Sequence, residues 1–201
     1  MADQRTPLYD LHVEAGAKMV PFAGFEMPLR YGGDRQEHLA VRERLGLFDV
    51  SHMGEFLVRG PKAWDLLQYA TTNNLKRLEI GKAQYNCMLR PEGGIIDDLI
   101  IYQLEEELFM AVVNAANLSK DWEWLNQVNQ DFGAELENIS AQTALMAISG
   151  PKVLEVVPAL TDVPVEEIPF YAFRMGTLAG QERCVIATTG YTGERTFEVY
   201  C

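Results

Sequence analysis

The chain has 201 residues, 48% of them apolar and 23% charged, and 29 acidic against 17 basic residues give it a net charge of −12. That length accommodates one large or two small domains with a sizeable core. The charge argues against nucleic acid or an acidic membrane surface as a partner.

Cys87, Cys184 and Cys201 show no C-x-x-C spacing and read as reduced thiols in a cytosol-like compartment. His12, His38 and His52 lie in separate segments, so no metal site is expected. The stretch Met1–Pro7 lacks an apolar signal region, and no run approaches a membrane span. A soluble, cytoplasmic protein without a membrane contact is the expectation.

Thr6-Pro7 is expected to cap a short helix that ends at Gly16, and Lys18–Phe22 and Phe25–Leu29 read as strands about Ala23-Gly24. Asp34 should cap a helix running from Arg35 to about Leu45, with Gly46 ending it. Strands follow at Leu47–Val50 and Glu55–Arg59, then a helix after Gly60-Pro61-Lys62 with Trp64, Leu67 and Ala70 on one side. Ala83–Leu89 and Ile95–Leu104 read as a hairpin, and Phe109–Val113 as a further strand. Ser119 should cap a helix to about Asn129 with Trp122 and Leu125 in the core, followed by a short strand at Glu135–Ile139. The last segments, Cys184–Thr188 and Phe197–Cys201, are strands around a Gly-rich turn.

The segment Phe56–Lys62 is echoed by Leu145–Lys152, each a strand leading through Gly-Pro-Lys into a helix. The echo is either a duplicated α+β module with its ligand between the copies, or convergence on a good strand-to-helix turn. No long Pro/Gly/Ser linker separates the two copies.

The chemistry centres on Gly93–Tyr102, where two glycines precede a β-branched strand interrupted by Asp97 and Asp98. Side chains alternate along a strand, so Ile96, Asp98, Ile100 and Tyr102 should share a face and Asp97 should take the other. A carboxylate on an apolar face needs a partner, a ligand or a raised pKa, whereas a solvated pair at the strand mouth needs nothing. No Ser-His-Asp pattern, P-loop or G-x-G-x-x-G occurs, and Gly190-x-x-Gly193 leads to no Lys and no helix. What remains is Asp97, Asp98 and Glu198 with Tyr85, Tyr102, Phe170, Tyr171, Tyr191 and Phe197. Carboxylates match the donor edge of an aminopyrimidine and aromatics stack on flat heterocycles; a pterin suits that set, as do many other ligands.

Seven segments in order resemble one family: TPLY from Thr6, GAKM from Gly16, FAGFEMPL from Phe22, GLFDVSHMG from Gly46, GGIIDDLI from Gly93, VNAAN from Val113 and TGYTGE from Thr189. The family is the T-protein of the glycine cleavage system, a tetrahydrofolate-dependent aminomethyltransferase. The resemblance implies an α+β fold of two interleaved antiparallel-sheet domains with flanking helices. The first would comprise 1–50 and 141–201 and be truncated at its C-terminal side, the second 51–140, and the family's C-terminal barrel domain would be absent.

The resemblance implies a reaction as well: the one-carbon unit of an aminomethyl group on the lipoyl arm of the partner H-protein passes to tetrahydrofolate, giving methylene-tetrahydrofolate and ammonia. Asp98 would be catalytic, stabilising the cation formed as ammonia leaves and orienting the attacking nitrogen, with Asp97 its structural neighbour. Glu198 would pair with the pterin edge. Tyr85, Tyr102, Tyr171, Tyr191 and Phe170 would line the folate site, with Asn114 and Met53 beside it and His52 structural. The family turn Gly-Glu-Asp-Gly-Phe-Glu is Gly193-Glu-Arg-Thr-Phe-Glu198 here, and the family's C-terminal folate-contacting arginines would be missing. A non-catalytic folate-binding module and an inactive, self-associating fragment are the alternatives.

Overall fold

The computed structural model describes residues 4–201; Met1–Asp3, part of the stretch read as free of a signal region, lie outside the described residues. The chain divides into two compact units, Met1–His52 with Ala144–Cys201, and Met53–Thr143. The first unit begins with β1 (Gln4–Arg5), α1 (Tyr9–Glu14), β2 (Lys18–Phe22), β3 (Phe25–Arg30), α2 (Asp34–Glu43) and β4 (Gly46–Asp49). The second holds β5 (Gly54–Arg59), α3 (Ala63–Ala70), β6 (Ala83–Leu89), β7 (Ile95–Glu105), β8 (Leu108–Val113), α4 (Leu118–Asn129) and β9 (Glu135–Asn138). The chain then returns to the first unit with β10 (Leu145–Ser149), α5 (Val153–Val156), β11 (Phe173–Leu178), β12 (Gln181–Ala187) and β13 (Thr196–Tyr200). This is an α+β structure in which all strand pairs are antiparallel except β1–β3, and no barrel forms among the described residues.

In the second unit the strand order is β6-β7-β8-β5-β9. Period-two alternation puts Phe56, Val58, Leu99, Ile101, Phe109, Ala111 and Val113 on one face, against Leu66 and Leu67 of α3 and Leu125 and Val128 of α4. The register places Glu55, Leu57, Asp98, Ile100, Tyr102, Met110 and Val112 on the other face. Ile96 departs from the expected face: a register shift between Met88 and Leu89 interrupts the alternation, and Ile96 joins the core cluster with Met88 and Leu99.

The larger sheet of the first unit runs β11-β12-β13-β10-β4. Ile148, Ile186, Phe197 and Val199 form its core with Val153 of α5 and Val157. The expectation of three reduced thiols fails here. Val185 pairs with Tyr200, so the next cross-strand pair is Cys184 opposite Cys201, their Cα atoms 4.6 Å apart, and the two form a disulfide; Cys87 alone is free.

Both sheets place the helix-leading strand (β5 or β10) beside the third strand of a meander, and both carry the fifth strand on its far side. The β-bridges Thr71–Met88 and Thr161–Leu178 recur at the offset that separates Gly60 from Gly150. The Gly-Pro-Lys echo therefore marks a repeated topology. Pro61 lies in the turn before α3, which starts at Ala63 and not at the proline.

The expected caps take other roles. Leu8 precedes α1, and the Thr6 hydroxyl donates instead to Asp49 Oδ2 at 2.6 Å. His12 Nε2 reaches the same oxygen at 2.9 Å, so it carries the hydrogen, and Nδ1 shares a hydrogen bond with the Tyr31 hydroxyl at 2.7 Å. Asp34 and Ser119 lie inside α2 and α4, neither of which has a side-chain cap. Helix α2 ends at Glu43, and Gly46 opens β4.

Candidate functional site

The second unit gathers Tyr85, Asp98 and Asn114. Cys87 is the cross-strand partner of Asp98, which places Tyr85, two residues before it on β6, diagonal to the carboxylate. The Tyr85 hydroxyl donates to Asp98 Oδ2 at 2.9 Å. Asn114 follows the last residue of β8, and its Nδ2 reaches Asp98 Oδ1 at 3.1 Å and the Asp98 carbonyl at 3.0 Å. Asp98 is itself exposed, and two donors leave about half of a carboxylate's four acceptor positions available. Tyr102 shares its sheet face but is fully buried. Met53 stands just before β5, on the first residue of the unit, and is half-buried.

Asp97 points to the helix side and is buried. Its Oδ1 accepts from Asn114 Nδ2 at 3.1 Å and Asn117 Nδ2 at 2.6 Å, and its Oδ2 accepts from the Asn114 backbone N–H at 3.2 Å. Lys120 donates to the Ile96 carbonyl at 2.6 Å and to Asn117 Oδ1 at 2.8 Å. The Asn114 amide thus ties the two adjacent aspartates together from opposite faces of β7. Asn117, Lys120 and Asp121 formed no part of the expected set. Asn117 closes the VNAAN segment, and the sign of Lys120 and Asp121 is a polar run opening a helix, which reads equally well as solvated surface.

The first unit gathers Glu198, Tyr171 and Phe170. Glu198 lies in the middle of β13, flanked by Ala147 and Ala187. Thr189 donates its hydroxyl to Glu198 Oε2. Burial raises the Glu198 pKa, with the Thr189 bond opposing. Burial and the nearby Glu198 raise the Tyr171 hydroxyl. Phe170 meets the Tyr171 ring edge-on at 4.9 Å between centroids and is 74% exposed; Tyr191 is 91% exposed on its turn. His52 packs edge-on against Phe22 at 5.4 Å, and burial lowers its pKa against the pull of Asp49.

The altered turn is anchored in its own way. Arg195 donates to the Glu166 carbonyl at 3.0 Å and lies 5.6 Å over the Phe197 ring, while the Thr196 hydroxyl donates to Ser149 Oγ at 2.7 Å. Glu198 keeps its place in the β13 register.

The profile of the GCVT N-terminal domain matches residues 8–201. An aminomethyltransferase of Phocaeicola vulgatus is 52% identical over 195 residues, which is 97% of this chain and 54% of that protein. One from Flavobacterium psychrophilum is 46% identical over 197 residues, again 54% of its length. Among solved structures, the glycine cleavage system aminomethyltransferase T of Bartonella henselae superposes with a TM-score of 0.89 at 38% identity, over 98% of this chain and 53% of that one. A heterotetrameric sarcosine oxidase from Corynebacterium shares the fold alone, with a TM-score of 0.61 at 12% identity over 83% of this chain and 82% of that one. The chain spans about half the length of the curated relatives it matches. It belongs to the GCVT N-terminal domain family of aminomethyltransferases.

Proposed function

We propose that this chain carries catalytic residues for tetrahydrofolate-dependent aminomethyl transfer, with a lipoylated H-protein as the donor's carrier. The observation behind this reading is the setting of Asp98, an exposed carboxylate oriented by the Tyr85 hydroxyl and the Asn114 amide. The residues suit the proposed ligand. Glu198 is an acceptor between two alanines, matched to a donor edge, and Tyr171 with Phe170 offers aromatic surface.

Tetrahydrofolate, when bound, supplies the nucleophilic nitrogens that receive the one-carbon unit. Asp98 stabilises the positive charge that develops on that unit and accepts or positions the proton of an attacking nitrogen. Tyr85 and Asn114 hold its two oxygens in one orientation, so little reorganisation is needed at the moment of transfer. Glu198 accepts paired N–H groups of the pterin, with Thr189 fixing its second oxygen. Met53 and Tyr191 complete the proposed contacts.

Calorimetry of tetrahydrofolate binding to this chain, beside Asp98→Asn and Glu198→Ala, tests the reading. Binding that Glu198→Ala abolishes, and that Asp98→Asn leaves within a few-fold, supports these assignments. Binding unaffected by Glu198→Ala removes Glu198 from the site, and binding abolished by Asp98→Asn makes Asp98 a binding group and not a catalytic one.

A further inference from the structure

We propose that Asp121 is a positioning residue for Asp98: its carboxyl keeps a proton at neutral pH, donates it in a hydrogen bond to the Asp97 carboxylate, and through Asp97 and Asn114 fixes the Asp98 side chain. The catalytic consequence rests on the role given to Asp98 above.

Helix α4 buries Asp121, Leu125 and Val128, so a carboxyl occupies the first place in an apolar stripe. Asp121 is 0% exposed, and neither of its oxygens meets an N–H or O–H donor among the described residues. An ionised carboxylate in that state is strongly disfavoured. Its neighbour in hydrogen-bonding position is Asp97. Two carboxylates only accept, so a hydrogen bond between them requires one proton. Asp97 already accepts three N–H donors, from the Asn114 backbone, the Asn114 amide and Asn117. Asp121, whose oxygens meet no such donor, is left to carry the proton between them.

The charged groups facing Asp121 are Asp97 and Asp98 from β7 and Lys120 from its own helix. Lys120 is engaged by the Ile96 carbonyl and Asn117. Burial first, then the bond and the charge of Asp97, push the Asp121 carboxyl up to about 8, with Lys120 opposing. The proton has a structural consequence. Asn114 Nδ2 has two hydrogens for three acceptors, Asp97 Oδ1, Asp98 Oδ1 and the Asp98 carbonyl. A donor on Asp97 from the helix side settles that carboxylate in one rotamer, and with it the amide that steadies Asp98.

The test is carbon-13 NMR on the intact chain with labelled aspartate. One carboxyl carbon should titrate near 8 in the native protein and be missing from Asp121→Asn. If every aspartate titrates below about 5, the ordinary carboxylate range, the proposal is overturned. Asp121→Asn can still donate to Asp97 and should leave the Asn114 side-chain amide signals in place, whereas Asp121→Val should displace them. Unmoved Asn114 signals in Asp121→Val would overturn the positioning role. The titration does not depend on folate. A carboxyl titrating near 8 in a chain whose folate binding Asp98→Asn abolishes would retain the proton-sharing pair and reject only the catalytic role of Asp98. Should Asp121→Val fail to fold, the native titration and the Asp121→Asn spectra still decide the question.

Discussion

Asp98 lies in the sheet β6-β7-β8-β5-β9 near the mouth of its hairpin, beside a Tyr hydroxyl and an Asn amide. Glu198 lies mid-strand in β11-β12-β13-β10-β4, steadied by the Thr189 hydroxyl. Superimposing the two registers puts Glu198 where the other sheet has Met110. Tyr102 and Leu57 flank Met110, whereas Ala187 and Ala147 flank Glu198. Large neighbours fill one position, and small ones leave room for a polar group in the other. A repeated topology thus holds two different side-chain settings because the side chains beside the same register position differ in volume.

Four measurements would break or sharpen this comparison. The largest effect concerns the matched cores. Phe56 and Phe197 are both buried on the helix side, and Phe→Ala at either should cost about 3–5 kcal/mol in urea unfolding. A loss below about 1 kcal/mol at one of them would show that the two cores are not equivalent in packing.

The disulfide comes next. Cys184 and Cys201 are separated by 17 residues, and a loop of that size is worth about 3 kcal/mol. Reduction should lower the stability of the β11–β13 sheet by roughly that amount. An unchanged unfolding midpoint after reduction would remove this difference between the sheets.

The repeated glycines differ by about 2 kcal/mol. Gly60 has φ +89° with open space beside it, whereas Gly150 has φ +143°, and a Cβ there would sit 2.5 Å from the Arg44 carbonyl oxygen. Gly60→Ala should cost about 1 kcal/mol from strain alone. Gly150→Ala adds a backbone clash, for about 3 kcal/mol in all. Equal losses would mean that the Gly150 turn relaxes freely.

The last effect is a slope with pH and not a single loss. Glu55, 1% exposed and without a hydrogen-bond partner for its carboxyl, is pushed up to about 8 by burial. The folded state then holds a proton that the unfolded chain gives up near 4.5, so stability is lost as pH rises between the two values, by about 1.4 kcal/mol per unit at most. Asp121 contributes in the same sense, so Glu55→Gln should roughly halve the slope in urea midpoints taken across the window. Asp49 in the other unit acts in the opposite sense. Burial raises it, but bonds from Thr6, His12 and Ser51 outweigh burial and lower its pKa. Its contribution is present above the unfolded carboxylate pKa and lost as pH falls through the folded one. A slope unchanged in Glu55→Gln would assign all of it to Asp121.

Much of this was legible in the sequence because alternation and turn chemistry are local. Ile95–Leu104, Phe109–Val113 and the face shared by Asp98 and Tyr102 follow from period two and a Gly-Gly turn. Ile96 was misplaced because a one-residue register shift leaves no mark in the alternation. The Cys184–Cys201 bond depends on β12–β13 register, which spacing along the chain does not reveal. The pairing of His12 with Asp49 spans two segments with no common motif. Asp121 escapes such a reading because a charged residue in a helix is ordinarily on the solvent side, and the apolar Trp122 next to it is the more natural core candidate. The Tyr85–Asp98 bond was out of reach for another reason: the hairpin was legible, but not which residue stands diagonal to the carboxylate.

The fifth strand has a temporal consequence. In one sheet it is β9, which joins β5 from within the same unit; in the other it is β4, which pairs with β10 only after the whole of Met53–Thr143 has been made. A ribosome therefore releases every strand of the second unit before β4 has its neighbour. Until then Leu47 and Phe48 sit on an unclosed edge, open to pairing with a foreign strand. The second unit should protect its amides first in pulse-labelled refolding, and β4 should be among the last segments to do so. Solubility during synthesis is then governed by how long four residues wait for a strand encoded almost a hundred codons later.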